Sequence, residues 1–150
     1  MGEQNLDFSV ETGKHGKPEL WFIEDHEHSR ESLIQLSKMI APDFEPIGFS
    51  NAKEGVDRLE QIIAQEEVPP FAIFIDGNLV LTEGEYVSGE VVVEKIREIL
   101  AKRPEPKVVI VAISNDPDLN VKMKEKGANY KFSKMEFSQN LMKIIEENRQ

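Results

Sequence analysis

The chain of 150 residues contains no cysteine. That absence removes disulfides, a cysteine nucleophile and cysteine-ligated zinc together. Long apolar runs are missing too. None approaches the roughly 20 residues that a membrane-spanning helix requires, and the N-terminus carries no apolar signal-peptide core. Cations are in the minority: 18 Lys and Arg stand against 28 Asp and Glu, a formal net charge of −10. Nucleic acid and membrane surfaces call for clustered cations, so neither is expected as the main partner. A cytoplasmic location is the default expectation.

What remains is ordinary globular material, 39% hydrophobic and 31% charged, in a length that suits one domain with a proper core. Residues 1–17, MGEQNLDFSVETGKHGK, are polar and aperiodic and read as a tail. Residues 18–150 read as the domain. Within it, short apolar runs alternate with amphipathic stretches. Leu20–Ile23 is a strand. Ser29–Ile40 places Leu33, Leu36 and Ile40 at helical spacing. Phe44–Phe49 is a strand that Pro46 assigns to a sheet edge. Ala52, Val56, Leu59 and Ile63 mark a helix. Phe71–Ile75 is a strand, followed by GNLVLTEGEYVSG, which reads as a loop. Val92, Ile96, Ile99 and Leu100 form the next helical stripe. Val108–Ile113 is a strand, Asn115–Lys126 a polar helix, Tyr130–Phe132 a short strand, and Phe137, Leu141, Ile144 and Ile145 the last helix. FAIFI and VVIVAI are apolar at every position, the pattern of central strands covered on both faces. Five β–α alternations of this kind imply right-handed crossovers and a doubly wound, five-stranded parallel α/β sheet.

In such a sheet the functional crevice lies beyond the C-terminal strand ends. The first strand ends in Glu24–Asp25, the third in Asp76, the fourth in Ser114 and the fifth near Lys134. Three carboxylates on one rim repel unless a cation lies among them. Oxygen donors select a hard ion, and magnesium suits one or two carboxylates with water and phosphate oxygens. An aspartate there can be a nucleophile toward phosphorus, a lysine can neutralise a phosphate oxygen, and a serine can donate a hydrogen bond to another. Each has a plainer reading beside it. Glu24 and Asp25 can cap the first helix, Asp76 can start a turn with Gly77, Ser114 can cap a helix with Asp116 nearby, and Lys134 can be a surface lysine. His26 and His28 sit beside the acid pair in LWFIEDHEHS. The third histidine, His15, is in the tail, so a three- or four-ligand zinc site is not expected.

From about Pro18 to Asn148 the chain resembles a response-regulator receiver domain of two-component signalling. FIEDHEHS matches that family's acidic pair, FIDGN its acceptor aspartate, AISND its hydroxyl position and GANYKFSK its lysine. The resemblance implies the flavodoxin-like (βα)5 fold of CheY-like receivers, with strand order 2-1-3-4-5. It implies that Asp76 accepts a phosphoryl group from a sensor histidine kinase or histidine phosphotransfer protein. It implies a magnesium ion held by Glu24, Asp25, Asp76 and the backbone carbonyl of Asn78, with Ser114 and Lys134 on the phosphate. The protein would then signal by changed affinity for a downstream protein through its fourth helix, fifth strand and fifth helix, and at most phosphorylate itself from small donors and slowly dephosphorylate.

Three departures stand out. The segment after Asp76 is longer than usual and lacks proline. Met135 follows Lys134 where the family usually has a cis proline. Lys131 occupies the position of the family's switching aromatic, with Tyr130 on the opposite strand face. The alternative is a pseudo-receiver, an unphosphorylated protein-interaction module. A haloacid-dehalogenase-type phosphatase, suggested by FIDGNL, is disfavoured because its nucleophile position holds Phe74, and hydrolysis of a generic phosphomonoester would test it. The chain stops at Gln150 with no output domain after the last helix, which fits a stand-alone receiver or a piece of a longer regulator.

Overall fold

The computed structural model describes residues 16–149. Most of the expected tail, with His15, lies outside them. The elements run β1 (Glu19–Ile23), α1 (Glu27–Ile40), β2 (Glu45–Phe49), α2 (Ala52–Ala64), β3 (Ala72–Ile75), β4 (Asn78–Thr82), β5 (Glu85–Ser88), α3 (Gly89–Leu100), β6 (Val109–Ala112), α4 (Pro117–Glu125), β7 (Tyr130–Lys131), a 3-10 turn (Lys134–Glu136) and α5 (Phe137–Asn148). Five of the strands form one parallel sheet in the order β2-β1-β3-β6-β7. With β4 and β5 set aside, that is the expected order 2-1-3-4-5, and the strand containing Pro46 lies at an edge.

Alternate residues of each central strand enter different cores. Trp21, Ile23, Ile73, Ile75, Ile110 and Ala112 face α2 and α3, packing with Leu59, Ile62, Val93 and Ile96. Leu20, Phe22, Phe74, Val109 and Val111 face α1 and α5, packing with Leu33, Leu141, Ile144 and Ile145. Phe22 and Phe74 stack with centroids 4.9 Å apart, and Phe137 meets them edge-on at 5.6 and 5.3 Å. This aromatic group lies on the α1/α5 face of the central strands. Burying each ring contributes roughly 1.5–3 kcal/mol.

The structure corrects the sequence reading in one major respect. GNLVLTEGEYVSG is not a loop but an antiparallel hairpin, β4 with β5, turning at Glu83–Gly84. Leu79 is buried at 1% exposure, and Leu81 and Val87 pack against the same core. The hairpin opens and closes at one place, because the Gly89 N–H donates to the Gly77 carbonyl at 2.7 Å. A Cβ on Gly89 would stand 2.3 Å from the Asp76 carbonyl oxygen, so only glycine permits this closure. Smaller corrections concern helix starts. Helix α1 begins at Glu27 rather than Ser29. Helix α4 begins at Pro117 rather than Asn115, with Asp116 as its N-cap accepting from the Asp118 N–H.

Candidate functional site

The C-terminal strand ends line an open cleft of about 560 Å³ bounded by Asp25, His26, Asp76, Asn78, Tyr86, Ser114, Asn115, Asp116 and Lys134. Glu24 lies beneath it, fully buried. The six residues singled out from the sequence are therefore brought together.

Glu24 leaves β1 with its N–H bonded to the Phe49 carbonyl, which turns its side chain inward. One carboxylate oxygen accepts from the His26 N–H at 3.1 Å; the other lies 2.6 Å from Lys134 Nζ. A carboxylate with no solvent exposure needs such a partner. Neither Glu24 nor Asp25 caps α1: its N-cap is His26, without a side-chain cap bond. Asp25 Oδ1 is buried with no hydrogen-bond partner. Carboxylate oxygens of Glu24 and Asp25 and an imidazole nitrogen of His26 lie within 4.8 Å of one another. A buried, partnerless carboxylate oxygen is costly, and a divalent cation would satisfy it. His26 Nδ1 lies 3.7 Å from Glu24 Oε2. His28 is an exposed residue of α1.

Asp76 follows β3. Its N–H bonds to the Ile23 carbonyl, its Oδ1 accepts from the Gly77 N–H at 2.7 Å, and its Oδ2 lies 3.4 Å from Lys134 Nζ. Burial and the charge of Glu24 push its pKa up to about 6, against the opposing pull of Lys134 and the Gly77 N–H. At neutral pH it is mostly ionised, the form able to attack an electrophile. Burial pulls the Lys134 pKa down, but hydrogen bonding and charge from Glu24 and Asp76 win and raise it, so the ammonium stays charged.

Lys134 owes its place to two features that the sequence reading missed. Ser133 and Glu136 form a capping box that starts the 3-10 turn, with the Ser133 N–H donating to Glu136 Oε1 at 3.0 Å. The S-x-x-E pattern at 133–136 was the available signal. Asn115 Oδ1 accepts from the Lys134 N–H at 3.0 Å, a contact across 19 residues that no local pattern announces. Among the described residues the only cis peptide bond is Glu105–Pro106, so Met135 follows Lys134 through a trans bond.

Ser114 follows β6. It is not the α4 cap; its Oγ accepts from the Asp116 N–H at 3.0 Å. That leaves its hydroxyl proton free to be donated. A Cβ on Gly77 would lie 2.7 Å from Ser114 Oγ, so Gly77 is what lets this hydroxyl approach the Asp76 loop. Asn78 is the first residue of β4, exposed at the cleft mouth, with Tyr86 of β5 81% exposed beside the same cleft. Tyr130 faces away from Ser114: it packs on the α1/α5 side, and its hydroxyl donates to Glu147 at 2.6 Å and accepts from Asn148. Lys131 is exposed along a second cleft between α4 and β7.

No protein-family model and no curated protein sequence matches the chain. Solved structures do. A CheY-like response regulator receiver domain from Methylobacillus flagellatus superposes with a TM-score of 0.67 at 20% identity, covering 89% of this chain and 99% of that one. The signal receiver domain of a DNA-binding response regulator from Colwellia psychrerythraea gives 0.65 at 17%, covering 87% and 99%. The receiver domain of the histidine kinase CKI1 from Arabidopsis thaliana, complexed with Mg2+ and BeF3−, gives 0.68 at 14%, covering 86% and 90%.

Proposed function

Starting from the receiver-domain fold of this chain, we propose that it is a phosphoryl-accepting receiver whose acceptor is Asp76. The observation that carries this reading is the pairing of Lys134 with both Glu24 and Asp76, at 2.6 and 3.4 Å, beside an unsatisfied Asp25 oxygen. An Asp76 carboxylate oxygen attacks the phosphorus of a phosphohistidine on a histidine kinase or phosphotransfer protein. A P–O bond forms as the P–N bond breaks, and the imidazole leaves with the electron pair. The Gly77 N–H and Lys134 orient the nucleophile and balance its charge. Ser114 donates its hydroxyl proton to a phosphoryl oxygen. Glu24, Asp25, Asp76 and the backbone carbonyl of Asn78 would hold magnesium, which supplies neutralisation of the charge gathering on the transferred group. The changed site then alters affinity for a protein target.

A second reading, an unphosphorylated interaction module, is favoured by Lys131 in place of a switching aromatic and by the hairpin beside the cleft mouth. One experiment separates the two. Incubation with acetyl phosphate, with and without magnesium, should give a magnesium-dependent phosphoryl adduct by intact mass, absent from Asp76→Asn. No adduct at any magnesium concentration would leave the interaction module as the better reading.

A further inference from the structure

The buried side chain of Asn120, on α4, does something that the proposed chemistry does not use. Its Oδ1 accepts from the Ser114 N–H at 2.9 Å, and its Nδ2 donates to the Ser114 carbonyl at 2.7 Å and to the Phe132 carbonyl at 3.3 Å. The partners fix the amide orientation, since one donates and two accept. The β6–β7 ladder ends with the Phe132 N–H on the Ala112 carbonyl. Past that point the Asn120 amide takes the place of a further β7 peptide, holding both backbone groups of Ser114. Asn120 is 5% exposed, so no water readily substitutes.

We infer that Asn120 is the positioning residue that ties the Ser114 hydroxyl to α4 and β7. Any shift of Ser114 toward a group on Asp76 either breaks two buried hydrogen bonds or carries Asn120 with it. The second costs less, because an unpaired buried amide group is heavily penalised. Movement of Asn120 displaces the start of α4 against β7 and reshapes the cleft of about 250 Å³ that Asn120 lines with Ser114, Val121, Lys131 and Phe132. The link needs no aromatic at position 131. This inference rests on the reading of Asp76 as phosphoryl acceptor.

The chain's lack of cysteine makes the test direct. Val121→Cys, at a site 44% exposed on α4, carries an environment-sensitive fluorophore, and intact mass records phosphorylation in the same sample. The emission shift per phosphorylated molecule is compared among the labelled parent, Asn120→Ala, Asn120→Asp and Met123→Ala. Met123→Ala empties a buried α4 position whose side chain packs in the α2/α3 core. Asn120→Asp keeps the acceptor for the Ser114 N–H and loses the donor. The expected result is a clear shift in the parent and in Met123→Ala, a diminished one in Asn120→Asp and loss in Asn120→Ala. Should Asn120→Ala not fold, the Asn120→Asp and Met123→Ala comparison decides. A shift that survives both Asn120 substitutions, or falls equally in Met123→Ala, would overturn the inference. An adduct without a shift in the parent overturns the coupling alone; no adduct in the parent removes the acceptor reading, and the coupling with it.

Discussion

Asp76 and Lys134 are where single groups carry the most consequence. The Asp76 pKa lies at about 6 against an ordinary 3.8. Between those values the unfolded chain loses a proton that the folded chain keeps, so each step up in pH favours unfolding. The associated stability is fully present below pH 3.8 and lost as pH rises through about 6. Asp76→Asn has no such dependence. In chelator-treated buffer near neutral pH it should be more stable than the parent by about 2 kcal/mol, with the gap closing on acidification; urea unfolding at several pH values checks this. Lys134→Ala does the opposite. It strands the fully buried Glu24 and the nearly buried Asp76 without their cation, at a cost of about 3 kcal/mol. Because the repulsion it exposes is between those two carboxylates, the loss should shrink when Asp76→Asn is also present, as a double-mutant cycle measures.

At the level of elements, the β4–β5 hairpin is the feature that stands outside the five-stranded parallel sheet. It is anchored rather than loose: Leu79 is almost wholly buried, and the hairpin is closed at its base by Gly77 and Gly89. Leu79→Ala should therefore cost about 2–4 kcal/mol in urea unfolding, the usual loss for a buried leucine, whereas a loop position would cost next to nothing. Gly89→Ala should be worse tolerated, since the clashing atom is the backbone oxygen of Asp76. The alternation of Leu79 and Leu81 before Glu-Gly and the Tyr86–Val87 pair was a hairpin signal in the sequence. It lost to the many glycines and glutamates around it, which read as loop. Helix ends were misplaced for a similar reason: Pro117 and Asp116 mark the start of α4 once the N-cap rule is applied, but Asn115 and Ser114 are capping types too.

For the whole molecule, the two cores line opposite faces of one central sheet and are expected to unfold together. Trp21, the only tryptophan, reports on one of them at 1% exposure. Its emission and the far-UV circular dichroism should follow one coincident urea transition; separated midpoints would show that the α2/α3 face unfolds independently of the α1/α5 face. Among the described residues no helix is long and apolar enough to cross a membrane.

The sequence by itself determined the order of the five parallel strands and five helices, the two-faced burial of the central strands and six of the polar residues gathered at the C-terminal rim. Those follow from periodicity of two or 3.6 and from the polar residue that ends each apolar run, all of it local information. Only the tertiary structure decided the rest: Lys134 against Glu24 across 110 residues of chain, Asn115 on the Lys134 backbone, Asn120 on Ser114 and Phe132, glycine at 77 beside the Ser114 side chain, and glycine at 89 beside the Asp76 carbonyl oxygen. These are contacts between segments that the sheet brings together, and no window of neighbouring residues contains both partners of the longest of them.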